Sequence, residues 1–255
     1  MATTAVSPPS LVTCEFDGRV AVVRLSDAAG KNALSRALGG QLEEALVRVA
    51  AIPDVAVVIL AGLPEYFCTG ASRDVLEEAF AGRLAPRDLI LPRYVLDIPV
   101  PVIAAMEGHA IGGGLALALC ADLIVAARES WFSCNFMRYG FTPGMGTTGL
   151  LSYVLGPTLA ADMLLTGRRV KGRELERRGG LNDVVARVEV MAKTRELADR
   201  MSPLPLRALR ALKTTLSAPK RQLFEAARSS EIIMHDLTFQ QPEAGHRIRE
   251  RDELA

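Results

Sequence analysis

Pro101-Val102-Ile103-Ala104-Ala105-Met106-Glu107-Gly108-His109-Ala110-Ile111-Gly112-Gly113-Gly114 is the stretch that decides how this chain folds. Residues 102–106 form an unbroken apolar run between a proline and Glu107-Gly108, the pattern of a strand buried on both faces. The glycine triplet then opens an apolar helix over residues 115–121, and residues 123–127 return as a strand. Upstream the same order occurs once more. A buried strand over residues 55–61 ends in Gly62-Leu63-Pro64, and the loop Phe67-Cys68-Thr69-Gly70-Ala71-Ser72 leads into a helix. Alternating buried strands and helices indicate an α/β core.

Working outward, residues 11–16 and 20–25 are β-branched runs separated by Asp17-Gly18, a hairpin signal. Ser35 is placed to cap a helix whose apolar positions Leu38, Leu42, Leu46 and Val49 recur every three or four residues, with Pro53 limiting its far end. Residues 87–98 read as a helix that stops before Pro99. From Val188 onward strand signals disappear, and residues 190–201, 203–216 and 220–239 read as three helices. The expected organisation is a disordered leader over residues 1–10, an α/β core over 11–190 and a helical C-terminal subdomain over 191–255. No internal repeat of fixed short period is visible.

Composition narrows the classes of function. The 255 residues are 49% hydrophobic, enough for one substantial core. Thirty basic and 29 acidic side chains leave a net charge of +1, which argues against a dedicated nucleic-acid surface. The arginine clusters at 168–169, 177–178 and 247–251 read as solvated helix faces, or as contacts for an acidic partner. The four cysteines are widely spaced, and Cys120 and Cys134 lie in apolar contexts, so buried thiols are expected. The N-terminus lacks the pattern of a signal peptide, and the longest apolar stretch is interrupted by Asp122 and is too short to cross a bilayer. A soluble, cytoplasmic protein without membrane partners is the expectation.

The two glycine loops carry the chemistry. Glycine lets a backbone approach a ligand closely, and the first N–H groups of a helix have no internal acceptor. Two such loops converging would make a pocket of N–H donors for a developing oxyanion. Read alone, the triplet fits close helix packing equally well. It lacks the Gly-x-Gly-x-x-Gly spacing of a dinucleotide site, and no Gly-Lys-Ser/Thr marks a phosphate loop.

Taken together, Tyr66 to Ala71, Pro101 to Gly108, Gly112-Gly113-Gly114, Asp122 and Gly140-Phe141-Thr142-Pro143-Gly144 resemble the crotonase (enoyl-CoA hydratase/isomerase) superfamily. Lys31-Asn32-Ala33-Leu34-Ser35 is similar to that family's first thioester-binding loop. The resemblance covers residues 11–240. It implies a spiral of ββα turns followed by a helical region that assembles trimers, often paired into hexamers. It also implies that the backbone N–H groups of Ala71 and Gly113 form the oxyanion hole, with Gly70, Gly112, Ala33 and Phe136 lining the substrate site.

Family members that hydrate enoyl thioesters use two glutamates, and this chain has Ala116 and Phe136 at those places. Neither can activate water or move a proton, so ordinary hydration is excluded. An enolate formed without a strong base suits decarboxylation, in which the departing carbon dioxide leaves its electrons on the thioester. The segment Asn135 to Gly146 resembles the decarboxylating homologues of polyketide β-branching cassettes, as does Met234-His235-Asp236-Leu237-Thr238-Phe239.

The resemblance implies loss of carbon dioxide from a 3-methylglutaconyl group on an acyl carrier protein, giving a 3-methylcrotonyl-type product. In that branch His235 is catalytic, holding the carboxylate or supplying a proton; as a lone helical histidine it would read as a packing or surface residue. Some relatives carry a lysine where this chain has Ala79, and Arg73 could offer a cation in its place. His109 reads as a structural histidine bonded to backbone, His246 as solvated, and three scattered histidines do not make a metal site. No cofactor is implied beyond the phosphopantetheine arm of a carrier protein or CoA. A dehydratase or double-bond isomerase of the same fold and a catalytically silent scaffold remain the alternative readings.

Overall fold

The computed structural model describes residues 10–250. All but Ser10 of the expected leader, and Arg251, lie outside the described residues. Two strands open the chain, β1 (Val12–Asp17) and β2 (Val20–Leu25), antiparallel with Asp17 opposite Val20. The tight turn is therefore Gly18-Arg19, one residue later than the dipeptide Asp17-Gly18 suggested. Helix α1 (Arg36–Ala50) follows, and Ser35 Oγ accepts the Leu38 N–H at 3.1 Å, a cap worth about 1 kcal/mol. Its buried face is Leu38, Leu42, Ala45, Leu46 and Val49.

A three-step winding then builds the site. In each step a long strand enters one sheet, a short strand enters a second, and a helical segment returns. The long strands are β3 (Val57–Ala61), β5 (Val102–Met106) and β7 (Leu123–Ala127); the short ones are β4 (Tyr66–Cys68), β6 (His109–Ile111) and β8 (Trp131–Ser133). The first sheet runs β1-β2-β3-β5-β7-β10, where β10 is Asp183–Val185, and it is parallel from β2 onward. The second sheet runs β4-β6-β8-β9, where β9 is Arg169–Lys171. The α/β spiral expected from the resemblance is therefore the observed architecture. The three winding steps differ greatly in length, which explains why no fixed sequence period betrays them.

Strands β3 and β5 are buried at every residue, because the first sheet is covered on both faces. Side chains of a strand alternate between faces. Val58, Leu60, Val102 and Ala104 accordingly join the main core with α1, whereas Val57, Ile59, Ile103 and Ala105 join a second core. That second core is closed by Val190 and Ala198 of α8 (Val190–Met201).

Two expectations need correction. The helix over residues 87–98 is a 3₁₀ turn, Pro86–Asp88, followed by the short α3 (Leu91–Asp97). The two helices expected over 203–216 and 220–239 are one, α9 (Leu206–Thr238), which runs through Pro219. Proline removes the bond to the carbonyl of Thr215, but both residues are exposed, so water can satisfy that oxygen. In keeping with a helical C-terminal region, the charged tail forms α10 (Pro242–Glu250), which packs back on α2 (Arg73–Phe80): a Cβ at Gly245 would come within 2.4 Å of the Phe80 ring.

Candidate active site

The loop after β4 and the loop after β6 meet. A Cβ at Gly70 would lie 2.8 Å from the Ile111 carbonyl oxygen and 3.5 Å from the Gly113 nitrogen. Gly70 also has φ +87, a conformation that excludes most side chains. Leu34, from the loop before α1, forms a parallel bridge with Ala71. Leu34 donates to the Gly70 carbonyl at 2.7 Å and accepts from the Ser72 N–H at 3.4 Å. This pattern uses the groups flanking Ala71, so the Ala71 N–H points away from Leu34. Gly113 opens α4 (Gly113–Leu119), and its N–H, in the first turn, has no intrahelical acceptor. Ala71 and Gly113 both line the same cavity.

The glycine triplet has three separate reasons. Gly112 adopts φ +53 to swing the chain into α4. A Cβ at Gly113 would strike Met145 Sδ at 2.7 Å, and one at Gly114 would strike the Cys68 carbonyl at 2.2 Å. Donor loop and close packing are thus both present, at neighbouring residues.

The cavity between these loops has a volume of about 60 Å³. Beside the donor loops it is walled by Phe136, Tyr139 and Phe141, by Gly144 and Met145, and by His235 and Phe239. Among the described lining residues there is no carboxylate, lysine or arginine. A groove of about 290 Å³ beside α1 and α3 shares Ala71, Val75 and Met145 with it, and a chamber of about 300 Å³ lies behind Ala79, His235 and Phe239.

His235 reaches the cavity from α9, whose buried stripe is Leu209, Lys213, Ser217, Lys220, Phe224, Ala227, Glu231 and His235. The imidazole is 3% exposed, and its Nε2 lies 2.7 Å from the Thr142 carbonyl oxygen. It meets Phe141 and Phe239 edge to face, with ring centroids 6.0 and 5.4 Å apart. Burial lowers its pKa; the Thr142 bond and nearby Asp236 oppose that shift.

Of the residues expected at the site, Gly70, Ala71, Gly112, Gly113, Phe136 and His235 come together. Arg73 and Ala33 do not. Arg73 is exposed on α2, because the helix turns it away from the cavity, and Ala33 is buried beneath its loop. Ala79, at the place of the missing lysine, lines both the cavity and the rear chamber. His109 has the structural role expected of it, its Nδ1 accepting the Trp131 N–H at 3.1 Å. Exposed His246 pairs with Glu250. Cys68, Cys120 and Cys134 are buried free thiols.

Residues given no individual role in the sequence reading hold these loops in place. Asn32, fully buried at φ +54, donates to the carbonyls of Leu25, Tyr66 and Phe67 and accepts the Asp27 N–H. It thereby pins the first loop to β4. Glu231 accepts the N–H groups of Gly146 and Thr148 and the Thr148 hydroxyl, at 2.7 to 2.8 Å, capping α5 (Thr147–Leu155). Buried Lys213 pairs with partly buried Asp122 at 2.6 Å, and Asp122 also accepts the Val102 N–H. A hydropathy reading of α9 hides this stripe, because five of its eight residues are polar.

The enoyl-CoA hydratase/isomerase family model matches residues 15–251. The bacillaene synthase decarboxylase PksI of Bacillus subtilis is 37% identical over 92% of this chain and 94% of its own. A protein solved in a study of a dehydratase/decarboxylase enzyme couple involved in polyketide β-branching superimposes with a TM-score of 0.91. It is 38% identical, and the match covers 94% of this chain and 98% of that one. The ECH2 decarboxylase domain of CurF from Lyngbya majuscula matches with a TM-score of 0.89 at 37% identity, covering 95% and 99%. On this evidence the chain belongs to the enoyl-CoA hydratase/isomerase family.

Proposed function

We propose that this chain is a decarboxylase of polyketide β-branching. It removes carbon dioxide from a 3-methylglutaconyl-type group held as a thioester on an acyl carrier protein and leaves a 3-methylcrotonyl-type product. The observation that carries the reading is the cavity itself: two backbone N–H donors converge on it, and its described lining has no carboxylate to act as a base. The likeness to PksI and to the CurF domain supports the same reaction.

In this reading the groove past Ala71 and Met145 receives the pantetheine arm, and the N–H groups of Ala71 and Gly113 bind the thioester oxygen. The bond to the carboxyl carbon breaks, and its electron pair passes through the conjugated chain to that oxygen, forming a dienolate. The N–H pair stabilises the charge as it develops. A proton then goes to the carbon that lost carbon dioxide, restoring the α,β-double bond.

His235 is suited to supply that proton. A carbonyl oxygen only accepts, so Nε2 carries the hydrogen facing Thr142 and Nδ1 is the exchangeable position. The arriving carboxylate favours the imidazolium. When it leaves as neutral carbon dioxide, that support vanishes and the proton becomes more acidic as the dienolate forms.

Assembly as a homotrimer, or a pair of trimers, is part of the proposal. Leu204, just before α9, and Leu212 and Leu216 on it present an exposed apolar face around Lys213 and Lys220, which favours self-association over a monomer. Among the described residues no helix is long and apolar enough to cross a membrane.

The test is intact-mass measurement of a 3-methylglutaconyl carrier protein incubated with the enzyme. Loss of the mass of carbon dioxide is expected. An unchanged mass, or gain of water, would overturn the proposal.

A further inference from the structure

Asn135 opens the 3₁₀ turn Asn135–Tyr139 that walls the cavity, and only 7% of its surface is exposed. Two other polar groups on the lining are already engaged. Thr69 Oγ1 donates to the Lys31 carbonyl at 3.1 Å, and His235 Nε2 bonds Thr142. The Asn135 side chain has no hydrogen-bond partner among the described residues. It stands beside the donor loop: a Cβ at Gly112 would lie 3.2 Å from Asn135 Oδ1. An amide with no protein partner that opens on a cavity wall is placed to meet a ligand.

We infer that Asn135 binds the departing carboxylate of the substrate. This rests on the decarboxylase reading above. Such a substrate brings two polar groups into the cavity, and the thioester oxygen is matched by the N–H groups of Ala71 and Gly113. The carboxylate needs donors of its own, yet the described lining provides no lysine or arginine, and Ala79 contributes no polar atom. The side-chain donors on the lining besides Thr69 are the Asn135 amide, the Tyr139 hydroxyl and the His235 ring, and of these Asn135 stands beside the donor loop. A neutral amide also suits the chemistry. It can hold the scissile bond perpendicular to the conjugated plane without adding a second cation beside His235 that would hold the carboxylate back from leaving. Asn135 is thus a substrate-binding residue that orients the breaking bond.

The experiment uses two carrier-protein thioesters that cannot react and differ by the carboxylate alone, 3-methylglutaryl and 3-methylbutyryl, alongside turnover of the 3-methylglutaconyl form. Binding to the full chain is measured for wild type, Asn135→Ala and the isosteric Asn135→Asp. The expected result is that Asn135→Ala weakens 3-methylglutaryl binding by about tenfold or more while 3-methylbutyryl binding holds, the scale of a hydrogen bond to a charged group. Asn135→Asp should weaken the former further, since like charges then face each other, and KM for turnover should rise in step. Equal effects on both thioesters, or none, with an active wild type, would overturn the role of Asn135 and leave the decarboxylase reading intact. A wild type that releases no carbon dioxide would overturn both.

Discussion

His235 Nε2 lies 2.7 Å from the carbonyl oxygen of Thr142, and the same ring is pressed against Gly144. One contact fixes the tautomer and the other fixes the ring plane. Together they leave Nδ1 as the nitrogen that gains or loses a proton. His235→Ala is therefore expected to slow decarboxylation by at least about a hundredfold, within the range for losing a general acid. The fold should persist, as judged by circular dichroism and sedimentation. Unchanged turnover would remove His235 from the mechanism.

Gly144 gives a sharper test, since it alters no titrating group. A Cβ there would come within 2.6 Å of His235 Cε1. The imidazole cannot retreat without breaking its bond to Thr142 or displacing the Phe239 ring. Gly144→Ala should lower kcat by tenfold or more, by about the cost of one misplaced group, with KM little changed. A variant with wild-type kcat would show that the ring has room to move.

Position 144 also marks the limit of what the sequence could convey. The alternation of buried runs and glycine loops made the α/β core legible, the family resemblance implied its spiral, and the quoted motifs named Ala71, Gly113 and His235, which line one cavity. Arg73, the first residue of α2, is exposed and does not line the cavity, which its place in the sequence two residues past Ala71 did not reveal. The roles of Glu231 and Asn32 were not legible because their partners are backbone groups distant in the chain, joined only by the winding of the sheets. Pro219 suggested a break that hydration of an exposed carbonyl renders unnecessary.

The lowered pKa of His235 has a sign in folding as well as in catalysis. Burial favours the neutral ring, so the unfolded chain binds more protons below its ordinary value of about 6.5. The contribution to stability is complete above that pH and is lost as pH falls through it. Denaturant midpoints should decline on acidification from about pH 6.5, and His235→Gln should flatten that part of the curve. In kinetics, kcat/KM should fall as pH rises through the free enzyme's lowered pKa, and kcat should fall at a higher pH because the bound carboxylate raises it. Coincident midpoints would argue against a carboxylate beside His235.

Phe136 stands where hydratases carry a glutamate, and its ring lies 3.8 Å from where a Cβ on Gly112 would be. Phe136→Glu restores the charge but not the second glutamate, since position 116 is a fully buried alanine. The new carboxylate would face the substrate's own. Decarboxylation should slow and no water should be added to a crotonyl thioester, as read by mass. A faster variant would mean that Phe136 does not face the carboxylate.

Glu231, one helical turn before His235, is the anchor of the Gly144-Met145-Gly146 loop. Its two oxygens take three donors, from the N–H of Gly146, the N–H of Thr148 and the Thr148 hydroxyl. Burial raises its pKa, and those three bonds oppose the rise. Glu231→Gln removes the charge but supplies one acceptor and one donor where two acceptors are needed. Either Gly146 or Thr148 is left facing an amide N–H, a loss of about 1 to 3 kcal/mol. The consequence reaches the cavity because this loop holds Gly144 against His235 and Met145 over Gly113. Glu231→Gln should therefore lower both the unfolding midpoint and kcat, whereas Asp236→Asn, on the far side of the same turn, should change the midpoint little. If Glu231→Gln lowered stability and left kcat untouched, the loop would be set by its own backbone and not by α9.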